Sequence, residues 1–230
     1  MYQRFYSFLI TSIVLLGAWN NGEALETQTV TFETGDGGSV NALLYGKGEQ
    51  AVVLAHGAVF SKESWDRFAA ELVKEGFAAL ALDFRGYGRS KAGSNPDGLF
   101  EDVLAAVRYL HRQGATRVSV IGGSMGAAAA AKASVSSRPG EIDKLVLLSP
   151  IAISHPEGLK GKLLIIGSQG ESMAENIQTI FDTAPQPKRL VFLEGTAHAQ
   201  HIFNTEQAGK LKAVILELLH DSKVDSLVRK

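Results

Sequence analysis

Polar and apolar positions along the chain follow two successive regimes. Residues 27–34 and 39–45 alternate between the two kinds, as half-buried strands do, and Gly35-Asp36-Gly37-Gly38 supplies a turn between them. From there the runs become short and continuously apolar, at 51–55, 78–82, 118–121, 145–148, 163–166 and 190–193. A strand apolar at every position is buried on both faces, which is the mark of a parallel sheet covered by helices. Helical spacing fills the intervals. Trp65, Phe68, Ala69, Leu72 and Val73 form one stripe; Leu99, Val103, Ala106, Val107 and Leu110 form a second. Leu211, Val214, Ile215, Leu218 and Leu219 form a third. Alternating strands and helices imply right-handed crossovers and an α/β fold: a doubly wound, mostly parallel sheet with helices on both faces and antiparallel N-terminal strands. No repeat or low-complexity linker divides residues 25–230, so they are expected to form a single domain.

The first 24 residues read differently. Arg4 is followed by an apolar run over 5–19, then by Gly22 and Ala24 ahead of Leu25. As a helix the run reaches roughly 22 Å, short of a ~30 Å hydrocarbon core. A basic start, an apolar middle and small residues at the end describe a signal peptide, so residues 1–24 are expected to be removed and the protein exported (periplasmic, lumenal or secreted). Removal takes away one basic residue (Arg4) and one acidic residue (Glu23), leaving the net charge of −1 unchanged. That near-neutrality argues against a nucleic-acid partner and against stable membrane association after cleavage. The absence of cysteine excludes disulfides, thiolate zinc sites and iron–sulfur clusters. Glycine is in excess, 24 of 230 residues, and several glycines stand where the chain leaves a strand.

In doubly wound sheets the binding groups collect at the carboxyl ends of the strands. After 118–121 comes Gly122-Gly123-Ser124-Met125-Gly126 and then an alanine run, a G-x-S-x-G at a strand-to-helix turn. A Walker loop would need Gly-Lys-Ser/Thr there, and a dinucleotide fingerprint would need more than Gly57 at the first strand-to-helix turn. After 51–55 stands His56-Gly57-Ala58, read either as a polar strand end or as a bend that turns the Ala58 N–H toward a site. After 190–193 comes Glu194-Gly195-Thr196-Ala197-His198; His198 is preferred to His201 because it lies in the loop ahead of the last helix. After 163–166, Glu171 is read equally as a solvated helix-terminal acid or as a catalytic carboxylate. Serine needs a base to accept its proton, and the base needs an acid to fix its tautomer. Ser124, Glu171 and His198 follow one another in the order nucleophile, acid, base. The Met125 and Ala58 N–H groups are the expected oxyanion donors.

With these residues in place, the chain resembles the α/β-hydrolase fold family over nearly all of 25–230. Beyond the Ser124 elbow, His56-Gly57 is similar to the family's His-Gly oxyanion segment. The run from Asp83 to Ser90 is similar to its D-x-R-G-x-G-x-S loop, with Asp83 structuring that loop, and Gly195-Thr196-Ala197-His198 to its G-x-x-H loop. One departure stands out. The resemblance puts an aspartate three residues after Gly167, where this chain has Gly170; Glu171 follows, one methylene longer, while Glu175 and Asp182 fall in the next helix, away from the loop. Relatives often insert a lid before the acid-bearing strand, but only about 150–161 is available here, too short for a substantial cap. The resemblance implies a nearly lidless serine hydrolase of carboxylic esters, thioesters or lactones, with a small-molecule ester substrate and neither metal nor cofactor. Ser124 at the elbow disfavours dehalogenase and epoxide-hydrolase chemistry, which uses aspartate there. Peptidase members usually bring a cap or further domains. Gly170 motivates the alternative, a non-catalytic small-molecule binding protein on the same scaffold.

Overall fold

A computed structural model describes residues 26–221, so segment 1–24, where a signal peptide is expected, lies outside the described residues. Eight strands form one sheet: β1 (Thr27–Glu33), β2 (Ser39–Tyr45), β3 (Gln50–Ala55), β4 (Ala78–Leu82), β5 (Arg117–Gly123), β6 (Lys144–Leu148), β7 (Lys162–Ser168) and β8 (Lys188–Leu193). Their order is β1-β2-β4-β3-β5-β6-β7-β8. The two alternating strands pair antiparallel, β1 with β2 and β2 with β4, and every other pairing is parallel. The division follows from burial. Edge strand β1 buries only Val30 and Phe32 and shows its other side chains to water, whereas all five residues of β4 and all five of β6 are buried.

Among the described residues, five α-helices cover the sheet: α1 (Asp66–Lys74), α2 (Leu99–Arg112), α3 (Met125–Ser136), α4 (Ala174–Thr183) and α5 (Ala208–His220). Because strand side chains alternate, each apolar run feeds two cores. Val53, Leu80, Val120, Leu145 and Ile165 face one way, against α2, α3 and α4. Val52, Leu54, Ile121, Val146 and Ile166 face the other way, against α1 and α5. Burying one such side chain contributes about 1.5–3 kcal/mol. The first helical stripe begins in a 3₁₀ turn, Lys62–Trp65, that runs into α1.

Between β6 and β7 the chain forms only a short 3₁₀ turn, Pro156–Gly158, so no cap covers the sheet's carboxyl edge at this point. From β3 the chain moves to β4 on one side and then back to β5 on the other. In such sheets the ligand crevice lies where the strand order reverses, here between the ends of β3 and β5, where Ala58 and Ser124 stand.

Candidate active site

Ser124 lies between β5 and α3 with φ 53° and ψ −112°, a conformation that costs a non-glycine residue about 1–3 kcal/mol. Its neighbours hold it there. The Ser124 N–H donates to the Leu148 carbonyl (2.9 Å), and its own carbonyl accepts from Ala127 and Ala128 (3.0 and 3.1 Å). The flanking glycines are demanded by space: a Cβ on Gly122 would lie 2.3 Å from the Gly126 oxygen, and one on Gly126 would lie 2.3 Å from the Ala55 oxygen. The alanines that follow let α3 pack directly on the sheet, with Ala127, Ala129, Ala130 and Ala131 buried.

The structure joins Ser124, His198 and Glu171 in one hydrogen-bonded chain. Ser124 Oγ is 2.8 Å from His198 Nε2, and His198 Nδ1 is 2.7 Å from Glu171 Oε2. A carboxylate only accepts, so Nδ1 carries the proton and Nε2 is left to accept from the serine hydroxyl. The Glu171 side chain is 2% exposed and that of His198 36% exposed, so the acid is sealed while the imidazole meets the crevice. Burial excludes the solvated helix-terminal reading of Glu171. Glu175 and Asp182 lie on α4 and are exposed. His201 is also exposed, in the 3₁₀ turn Ala199–Asn204, with its ring against Phe60 (4.9 Å).

Glu171 also explains Gly170. The Gly170 N–H donates to the Gly195 carbonyl (2.9 Å), which draws the β7–α4 turn against the histidine loop. A Cβ at 170 would meet Thr196 Cγ2 at 2.8 Å and the Gly195 oxygen at 3.2 Å, so a side chain at 170 would have to displace its neighbours. The carboxylate enters instead from the next residue, with the longer side chain to span the gap.

Sequence reasoning missed Ser149. Buried at the end of β6 with φ 43°, it donates from Oγ to Glu171 Oε1 (2.8 Å) and accepts there from the Ala199 N–H (2.9 Å). The Ser168 N–H donates to the same carboxylate oxygen (2.7 Å). Of the four described non-glycine residues with positive φ, three are Ser124, Ser149 and Ala199. Backbone strain is thus concentrated around this one hydrogen-bonded chain. A serine at a strand's carboxyl end was the available signal.

The Ala58 loop is pinned from several directions. Gln200, also missed, accepts from the Gly57 N–H (2.6 Å) and donates to Ser64 Oγ (2.7 Å), so the histidine loop and the Ala58 loop are tied together. The Tyr87 hydroxyl donates to the Ala58 carbonyl (2.9 Å). Asp83 receives both the backbone N–H (2.9 Å) and the ammonium (2.6 Å) of buried Lys62, consistent with a loop-structuring role. His56 is fully buried and accepts at Nε2 from the Phe84 N–H (3.3 Å), so its Nδ1 donates to the Gly57 carbonyl (2.9 Å). Burial pushes its pKa below the ordinary imidazole value, so the ring is neutral and serves as a fixed strut. Farther along the same loop, Arg85 pairs with Asp102 (2.7 Å) and Asp36 (2.8 Å), and its hydrogen bonds hold the Asp36 carboxyl well below the usual carboxylate range. Neither the Ala58 nor the Met125 N–H donates to a loop or turn carbonyl among the described residues. Met125 opens α3, where the first amides lack intrahelical partners.

The chain matches the family model described as serine aminopeptidase, S33, over residues 46–169, a stretch that includes Ala58 and Ser124 and stops before Glu171 and His198. It is 36% identical over 113 residues to a bifunctional esterase/perhydrolase of Acinetobacter calcoaceticus, covering 45% of this chain and 40% of that one. It is 32% identical over 117 residues to a non-heme chloroperoxidase of Streptomyces lividans, covering 47% and 41%. The matched stretch is thus well under half the length of these curated relatives. Among solved structures, the Pyrococcus furiosus esterase Pf2001 superposes with a TM-score of 0.72 at 22% identity, over 85% of this chain and 92% of that one. A CIB-like hydrolase from Thermoplasma acidophilum gives 0.68 at 20% identity, over 85% and 99%. At those identities the likeness speaks for the fold. The family match, spanning more than half of the residues, adds membership: the chain belongs to the α/β-hydrolase family, within the group that the serine aminopeptidase S33 model describes.

Proposed function

We propose that this α/β hydrolase is a serine carboxylesterase that works through an acyl-Ser124 intermediate. The observation that carries the reading is the continuous chain from Ser124 Oγ through His198 to buried Glu171, with links of 2.8 and 2.7 Å. In the forward step the Ser124 oxygen attacks the ester carbonyl as its proton passes to His198 Nε2. The Met125 and Ala58 N–H groups then hold the tetrahedral oxyanion, at roughly 3–4 kcal/mol per donor. His198 returns the proton to the departing alcohol, and water repeats the sequence on the acyl-enzyme. Glu171 keeps the imidazole in the accepting tautomer and stabilises its charged form. The sealed Glu171 carboxylate, hydrogen-bonded to a His198 that meets the crevice, favours turnover over a binding protein that merely keeps the pocket.

An open crevice without a cap at the β6–β7 connection favours short acyl chains, since nothing there encloses a long one. A panel of p-nitrophenyl esters, run alongside labelling by a fluorophosphonate, tests both points. Rapid labelling at Ser124 and faster turnover of the four-carbon than of the sixteen-carbon ester are expected. Absence of labelling would refute the esterase reading, and an aminoacyl p-nitroanilide cleaved faster than any ester would replace it with peptidase chemistry.

We also propose export, on the pattern of residues 1–24. Material recovered outside the cytoplasm should begin near Leu25 on N-terminal sequencing. A soluble cytosolic protein that retains Met1 would contradict this.

A further inference from the structure

A groove of about 280 Å³ opens at Met125, the residue that follows Ser124, and one face of α3 forms its floor. Met125, Ala128 and Lys132 stand on that face at i, i+3 and i+7, while Phe100 from α2 and Ile153 from the β6–β7 connection form walls. The groove exists because alanines occupy the middle of the face. It starts at Met125, next to the serine, where an acyl chain would leave the carbonyl carbon. It ends at Lys132, whose ammonium lies 4.4 Å from the centroid of the Phe100 ring. Seven residues of helix separate these ends, about 10 Å along the axis. Helical side chains lean toward the N-terminus, which brings the ammonium several Å closer to the serine. Lys132 makes no ion pair among the described residues; the one acidic residue on the groove is Asp97, exposed at its rim.

An apolar channel that ends on a cation without a carboxylate partner is complementary to an apolar chain ending in a carboxylate. We infer that this groove is the acyl subsite and that it selects short ω-carboxy acyl groups, the half-esters of dicarboxylic acids about six carbons long, with Lys132 binding the free carboxylate. This rests on the esterase reading above. Phe100 shields the ammonium from water on one side, which strengthens a charge pair formed against it. Hydrolysis then consumes a half-ester anion and one water and releases a dicarboxylate, an alcohol and a proton.

The test compares p-nitrophenyl hydrogen adipate with p-nitrophenyl hexanoate, equal in length and different only at the far end. For the unaltered protein, kcat/KM is expected to favour the adipate half-ester by about tenfold or more, the size of one charge-assisted contact. Lys132→Met should remove that preference mainly through a higher KM for the half-ester, and Lys132→Glu should reverse it. Lys132 is exposed on α3, so both variants should keep the wild-type circular dichroism spectrum. An adipate-to-hexanoate ratio equal in the unaltered protein and Lys132→Met would overturn the groove assignment while ester hydrolysis stands. Preference for a 6-aminohexanoate ester, the group Asp97 would hold, would overturn it as well. Turnover of neither ester, with no fluorophosphonate labelling, would remove the esterase reading and this inference together.

Discussion

Ser124→Ala is expected to lower turnover of a good short-chain ester by about 10⁶-fold, and His198→Ala by nearly as much, because nucleophile and base act as one unit. The geometry makes that mutual dependence concrete. His198 Nε2 accepts from Ser124 Oγ at 2.8 Å, and its other ring nitrogen is committed to Glu171. Without the imidazole, the hydroxyl loses its only close proton acceptor among the described residues; without the hydroxyl, the imidazole has no nucleophile to activate. The double variant should therefore fall little below either single one. Whatever rate remains would come from the Met125 and Ala58 N–H groups and from substrate binding, roughly 10³–10⁴-fold over water. Stability should hardly move. Alanine keeps the Cβ that makes φ 53° costly, and the hydrogen bonds that hold residue 124 use its backbone N–H and carbonyl. Kinetics on a p-nitrophenyl ester, with a thermal melt as control, decide the matter. A Ser124→Ala protein that folds and keeps more than about a hundredth of the activity would mean that another group carries the reaction.

Much of the fold was legible because burial writes itself into the chain at short range. The runs at 78–82 and 145–148 are apolar at every position, and the corresponding strands β4 and β6 are covered on both faces. β1 alternates and lies at the sheet's edge, with one face wet. Strand ends then indicated where to look, and Ser124, Ala58, His198 and Glu171 all stand at them. Less visible were the groups whose meaning depends on a distant partner. Ser149 matters because Glu171 and Ala199 arrive beside it, 22 and 50 residues later. Gln200 reaches Gly57 across 143 residues. Arg85 is one letter of a loop motif until Asp36 and Asp102 close on it. Such pairs carry no local periodicity, so they emerge only once the sheet has brought the loops together. Gly170 is the instructive case: as a letter it suggested a missing acid, whereas in space it is the residue that lets the turn approach Gly195.

Glu171→Gln is expected to cost up to about 10⁴-fold in turnover, less than the loss of the serine. The direction follows from how the carboxylate is held. Oε1 accepts two hydrogen bonds, from Ser149 Oγ (2.8 Å) and the Ser168 N–H (2.7 Å), while Oε2 faces His198 Nδ1 at 2.7 Å. In a glutamine the amide oxygen must take the Oε1 position, because an NH₂ group there would oppose the Ser168 N–H, which can only donate. The amide NH₂ then faces Nδ1 and demands an acceptor from it. The ring proton moves to Nε2, the atom that must receive the proton of Ser124, and the base is blocked by its own tautomer. Loss of the negative charge adds to this by leaving the imidazolium unsupported. Ser149→Ala supplies the complement. It removes one of the two donors that force the amide orientation and spares the charge, so its own loss should be far smaller than that of Glu171→Gln. The two variants should interact rather than add in a double-mutant cycle. Each is read in kcat/KM on the same short-chain ester. Full activity in Glu171→Gln beside an inactive Ser124→Ala would assign the orientation of His198 to some other acceptor and leave the β7–α4 turn with the task of shaping the crevice.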